Sequence, residues 1–225
     1  MPQRQSGFTL IEIAIVLVII GLLLGGILKG QELINSSRVK NLATDFRNVP
    51  LFVYGFQDKF KALPGDDPAA VSHVNGTLAT TPANLQGNGV IDGNWNSTTV
   101  TDESFLFWQH VRLAGLAPGS TTTTAPDYLP TNASGGTIGI QSGTTVPGSS
   151  PMLDLNDEPI RGTYIVCSKS ILGKFVKQLD IQIDDGSTDS GSLMAAPTNG
   201  YNIGAKAAAT AAIDDAATYT VCMGV

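Results

Sequence analysis

Charge is almost missing from the start of this 225-residue chain: from Phe8 to Leu28 the single ionisable side chain is Glu12. Histidine is scarce too. Only His73 and His110 occur, and neither stands beside a nucleophile motif. There is no Gly-x-Ser-x-Gly, His-Glu-x-x-His or Gly-x-Gly-x-x-Gly run, so hydrolase, zinc-peptidase and dinucleotide chemistry lack their usual carriers. A phosphate-binding Gly-rich Lys motif is also lacking, so an ATP-driven motor would have to act from outside this chain. Cysteine occurs twice, at Cys167 and Cys222, and never as Cys-x-x-Cys, which leaves a redox or zinc role with little support. Basic residues are few from Leu63 onward: 6 Lys/Arg face 15 Asp/Glu, a net of −9. Nucleic-acid binding needs basic patches, and this balance argues against it. Catalysis therefore has little to work with in this sequence.

What the chain does have is an apolar run of 21 residues, Phe8 to Leu28. As a helix it reaches about 31 Å, the thickness of a bilayer's hydrocarbon core. It carries 15 large apolar side chains. Moving them to water at about 2 kcal/mol each would cost on the order of 30 kcal/mol, so the run leaves a membrane only into another apolar setting. Glu12 inside it is expensive and reads as functional. The leader before the run ends in Gly7, whereas an ordinary secretory signal carries its small-residue cleavage site after the apolar core. A cut after Gly7 would keep the apolar helix and create a new N-terminus at Phe8.

Beyond Leu28 a one-sided stripe continues the helical pattern. Val39, Leu42, Phe46, Val49, Val53, Phe56 and Phe60 recur at spacings of three and four. A single helix from Phe8 to Phe60 would be roughly 80 Å long. Pro50 should kink it just before that position, and the turn Leu63-Pro64-Gly65-Asp66 should end it.

The contiguous run Ser6-Gly7-Phe8-Thr9-Leu10-Ile11-Glu12, followed by a membrane-length helix, resembles the class III signal of type IV pilins and type II secretion pseudopilins. The resemblance implies an α+β fold, with a long hydrophobic N-terminal helix packed against a small antiparallel-sheet head. It divides the chain into a leader (1–7), the long helix (8–62, of which 8–28 is the transmembrane and assembly part) and the head (63–225). It implies a membrane peptidase that cuts between Gly7 and Phe8 and methylates the Phe8 amine. It also gives Glu12 an assembly role, meeting the Phe8 amine of a neighbouring subunit. The implied partners are copies of the chain, other pilin-like subunits, the prepilin peptidase and an inner-membrane assembly platform. The implied location is a single-pass inner-membrane precursor with a periplasmic head, then a periplasmic or surface filament. The rival class is a signal-anchored periplasmic binding protein or enzyme that stays monomeric. Lys29, Arg38 and Lys40 outnumber Arg4, so the positive-inside rule taken alone favours the opposite orientation. The cleavage signal and the cysteine pair both need the C-terminal part outside the cytoplasm. Gly21, Gly25 and Gly26 suit close helix packing in a membrane, or the partial unwinding on assembly that the family implies.

In an exported chain the even pair Cys167 and Cys222 reads as a disulfide, worth roughly 4 kcal/mol by loop-closure entropy. A C-terminal disulfide loop is also common in pilins. Asp67 and Pro68 suggest the start of a short helix running through Val71. Asp102 suggests the cap of a helix that carries Phe105, Leu106, Gln109, Leu113 and Leu116 and ends near Gly115. On it, Trp108 reads as core or packing edge and His110 as surface or satisfied core. Strands are expected near 137–141, over 162–169 and at the end, 219–222. Residues 172–183 fit a helix by Leu172, Phe175, Val176, Leu179 and Ile183, and a strand by Leu179, Ile181 and Ile183.

Asp185, Ser187 and Asp189 alternate as calcium ligands often do, and Ca2+ is the one cofactor this pattern would suit. An acidic turn held by its own backbone explains the same residues without a metal. A weaker cation pattern lies at Asn88, Asp92 and Asn94. The adjacent acids Asp66 and Asp67 read as solvated groups or helix caps.

Overall fold

The computed structural model describes residues 9–225, so the leader and Phe8 lie outside the described part. The chain divides into two compact units, Met1–Arg38 and Val39–Val225. Helix α1 (Leu10–Phe60) contributes its first part to one and its second part to the other.

Within the first unit every large apolar side chain of α1 is exposed, from Leu10 through Leu28. Within the second unit the stripe is buried: Val39, Leu42, Ala43, Phe46, Val49, Pro50, Val53 and Phe56 all point into the core. Leu51 and Tyr54, on other faces, stay exposed. The three-four spacing therefore does what an amphipathic helix requires. Pro50 forfeits one hydrogen bond of the ladder, yet α1 continues through it. Burial of Val49 and Val53 on either side holds the chain helical there. The helix stops at Phe60, where Lys61 turns left-handed (φ 58°), three residues before the expected Pro64-Gly65 turn.

The head is built on a four-stranded antiparallel sheet in the order β1 (Ile138–Ser142), β3 (Tyr164–Leu172), β6 (Thr218–Gly224), β4 (Leu193–Pro197). Side chains alternate between its faces. One face carries Ile138, Ile140, Tyr164, Val166, Val221 and Met223 into a core shared with the α1 stripe and with Phe107, Phe175 and Leu179. The other carries Ile165, Cys167, Met194 and Cys222 into a smaller core with Trp95, Met152 and Ile160. The latter is flanked by the short parallel pair β2 (Met152–Leu153) and β5 (Ala205–Lys206). Cys167 and Cys222 are direct partners across β3 and β6, and their sulfurs are bonded at 2.07 Å.

The expected strands appear as β1, β3 and β6. The ambiguous segment is a helix, α4 (Gly173–Ile183). Phe175, Val176 and Leu179 are buried while Ile181 is 71% exposed, which a strand with Leu179, Ile181 and Ile183 on one face would not allow. The short helix α2 (Ala70–Val74) begins later than expected. Asp67 does not cap it. Its Oδ1 accepts the Ala69 N–H (2.8 Å) and its Oδ2 pairs with His73 Nδ1 (2.7 Å). Helix α3 (Glu103–Leu113) lies where expected, but Asp102 before it makes no side-chain capping bond and instead accepts from the Ser97 hydroxyl (2.6 Å); Trp108 and His110 are both buried in the helix. Strand β4 was not foreseen, because Leu-Met-Ala-Ala-Pro carries no β-branched or aromatic residue.

Replacing Cys167 and Cys222 together by serine is expected to lower the unfolding free energy by about 2–5 kcal/mol in denaturant titration. A loss below about 0.5 kcal/mol would mean that the β3–β6 ladder holds the C-terminus unaided.

Candidate functional site

The first described residues of α1 form a reciprocal cap. Glu12 Oε2 accepts the Thr9 N–H at 2.7 Å and the Thr9 hydroxyl at 2.8 Å, and the Glu12 N–H donates to Thr9 Oγ1 at 3.3 Å. Thr-Leu-Ile-Glu is thus a capping box, satisfying backbone donors at the helix start and placing a carboxylate near its positive end. Thr-x-x-Glu before an apolar run is the sequence signal of this cap. Gly7 and Phe8, the expected cleavage and methylation residues, lie outside the described residues. α1 is helical through Gly21, Gly25 and Gly26, with nothing within 4 Å of a Cβ built at any of them. The helix is long and apolar enough to cross a membrane.

In the head, the Asp184–Asp189 segment closes on itself. Asp184 Oδ2 accepts the N–H groups of Ser192 (2.6 Å) and Leu193 (3.0 Å), tying the segment to the start of β4. Asp185 Oδ1 accepts the Ser187 N–H at 2.9 Å, and the Ser187 hydroxyl donates to Asp189 Oδ1 at 2.8 Å. Thr188 is buried and donates to the Ala208 carbonyl at 2.7 Å. The segment is therefore a structural tie between α4 and β4 with its polar groups locally satisfied. Among the described residues no group of three or more His, Cys, Asp or Glu side chains is drawn together as a metal site.

The model of the prokaryotic N-terminal methylation motif matches residues 2–28 of this chain. The match supports a type IV pilin-like prepilin. The matched segment holds Gly7, Phe8 and Glu12 and ends at Leu28, where the membrane-length run ends. No characterised protein and no solved structure matches the chain. The apolar helix and the motif together fit a membrane-anchored precursor.

The head also buries polar groups that the sequence reads as solvated or surface. Asp66 and Asp67 are buried, not solvated. The Asp66 carboxylate accepts the N–H groups of Gly87, Asn88 and Gly89, which pins the 87–94 loop onto the end of the Pro64-Gly65 turn. Gly65 (φ 94°) is required in that turn, because a Cβ there would collide with the Glu103 carbonyl. His110 is a satisfied core histidine. The Gly65 N–H donates to its Nδ1 at 2.9 Å, so Nε2 carries the proton and donates to the Thr77 carbonyl at 2.8 Å. Burial lowers its pKa and holds the ring neutral.

Glu103, at the start of α3, is fully buried, and burial pushes its pKa up to about 7, with Asp66, Asp92 and Asp102 adding to the rise. Asp180 is raised to about 6, again by burial first. A carboxyl group whose folded pKa is raised contributes stability that is full below its ordinary value and lost as pH rises through the folded one. Below about pH 6.5 the buried neutral His110 acts in the opposite sense, so in buffer with chelator the chain's unfolding free energy is expected to fall as pH rises from about 6.5 to about 8. Glu103→Gln, which keeps the shape and removes the charge, should flatten that slope in pH-dependent denaturation. An unchanged slope would remove Glu103 as its source.

Proposed function

We propose that the chain is cut after Gly7 and methylated at Phe8, and that the mature protein is a structural subunit of a type IV pilus or a type II secretion pseudopilus. The observation that carries this reading is the join of Gly7-Phe8-Thr9-Leu10-Ile11-Glu12 to a helix whose large apolar side chains from Leu10 to Leu28 are all exposed. That surface needs lipid or a bundle of like helices, and head-to-tail stacking of identical subunits continues without closing. Glu12 is the assembly residue: turned to the helix start by its Thr9 contacts and four residues on from Phe8 in the sequence, it receives a neighbour's amine. The partners are copies of the chain, other pilin-like subunits, the prepilin peptidase and an inner-membrane platform. The head lies in the periplasm before assembly and in the filament after it.

Co-expression with a prepilin peptidase should yield, by intact mass spectrometry, a chain starting at methylated Phe8. Retention of residues 1–7 beside active peptidase would point instead to an anchored monomer. Glu12→Ala should insert at least as well as the parent, because an unpaired carboxylate in the span costs about 2.5–3.5 kcal/mol. Its incorporation into sheared filaments should drop tenfold or more, on the order of the loss of one buried ion pair. Filament yield equal to the parent's would end the role given to Glu12.

A further inference from the structure

The loop Gly87–Asn94 and the start of α3 carry the carboxylates of Asp92, Asp102 and Glu103, and the neighbouring turn adds Asp66, bound to the loop's N–H groups; Asp92 Oδ2 accepts from Asn88 Nδ2 at 3.1 Å and Asp102 Oδ2 from the Ser97 hydroxyl at 2.6 Å. The two segments are interlocked. The Asp92 N–H donates to Glu103 Oε2 at 2.9 Å, the Ser104 N–H donates to the Asp92 carbonyl at 3.0 Å, and the Ser104 hydroxyl donates to the Asn94 carbonyl at 2.8 Å. Gly93 (φ 91°) sits so close that a Cβ there would meet Ser104 Oγ at 2.8 Å and Asp102 Oδ2 at 3.2 Å.

Two carboxylate oxygens in this place have no hydrogen-bond partner among the described residues, Glu103 Oε1 and Asp102 Oδ1. The Glu103 side chain is fully buried. None of the salt bridges among the described residues includes any of the four acids. A buried carboxylate oxygen with neither donor nor counter-charge is costly, and three further acids around it raise the cost. The dipole of α3 favours negative charge at its start but gives neither orphan oxygen a partner.

We propose that this loop and the start of α3 bind one divalent cation of the oxygen-seeking class, with Glu103 and Asp92 as its side-chain ligands. Asp66 and Asp102 add charge around it. Main-chain oxygens and water complete the shell, as calcium and magnesium accept, which is why two carboxylates suffice where no preformed group of three stands. The donor set holds no Cys and no free imidazole, which disfavours softer metals. The site is separate from the Asp184–Asp189 segment and does not depend on filament assembly.

The test uses the full chain in detergent micelles, melted in EDTA and in about 2 mM calcium chloride, within the range of weak extracellular calcium sites. Calcium should raise the Tm by several degrees. Asp92→Asn and Glu103→Gln should each lose most of that shift, while Asp185→Asn should keep it. If Glu103→Gln fails to fold, Asp92→Asn decides alone. Coincident melts of the parent in EDTA and calcium would overturn the proposal and leave a proton as the neutraliser of Glu103. A full shift retained by the loop variants, or one lost in Asp185→Asn, would place the ion elsewhere and overturn it equally.

Discussion

Helix α1 meets two different environments, and the molecule is organised by that change. Up to Leu28 the apolar side chains surround the helix, so no arrangement of one chain's polar surface satisfies them. From Val39 they narrow to a stripe that a sheet face can cover. The polar residues between, among them Lys29, Glu32 and Arg38, mark the change. One continuous element thereby serves as a lipid-compatible rod and as one wall of a water-soluble core.

The sheet answers the stripe. Its inner face takes α1, α3 and α4, and its outer face carries the disulfide and a second, smaller core. β6 is a central strand, paired on one side with β3 and on the other with β4, so both neighbours depend on it. The bond between Cys167 and Cys222 sits on that strand and its neighbour β3, where it restrains the terminus most directly.

A third layer is polar and buried. The Pro64-Gly65-Asp66-Asp67 turn, the 87–94 loop and the start of α3 are joined by carboxylates and by the neutral ring of His110 rather than by apolar contact. Such networks specify one arrangement when fully satisfied. Here the network is satisfied except at Glu103 Oε1 and Asp102 Oδ1, and that local incompleteness marks the place where the head is most sensitive to its solution.

Much of this was legible along the chain. The cleavage-type run, the membrane-length helix, the stripe from Val39 to Phe56, strands β1, β3 and β6 and helix α3 are written in spacing and residue type, because periodic burial leaves a periodic trace. β4 was not legible, since its Ala-rich sequence becomes a strand only by pairing with β6. Nor could periodicity alone assign residues 173–183, where solvent at Ile181 decides for a helix. The roles of Asp66, Asp67 and Glu103 were least visible of all. An acidic side chain looks solvated until backbone donors more than twenty residues away, such as those of Gly87 to Gly89 for Asp66, close over it. Local composition thus dictated where the chain must leave water and which segments take regular form. Only three-dimensional packing determined which charges were taken inside, because burial of a carboxylate depends on partners that no local pattern encodes.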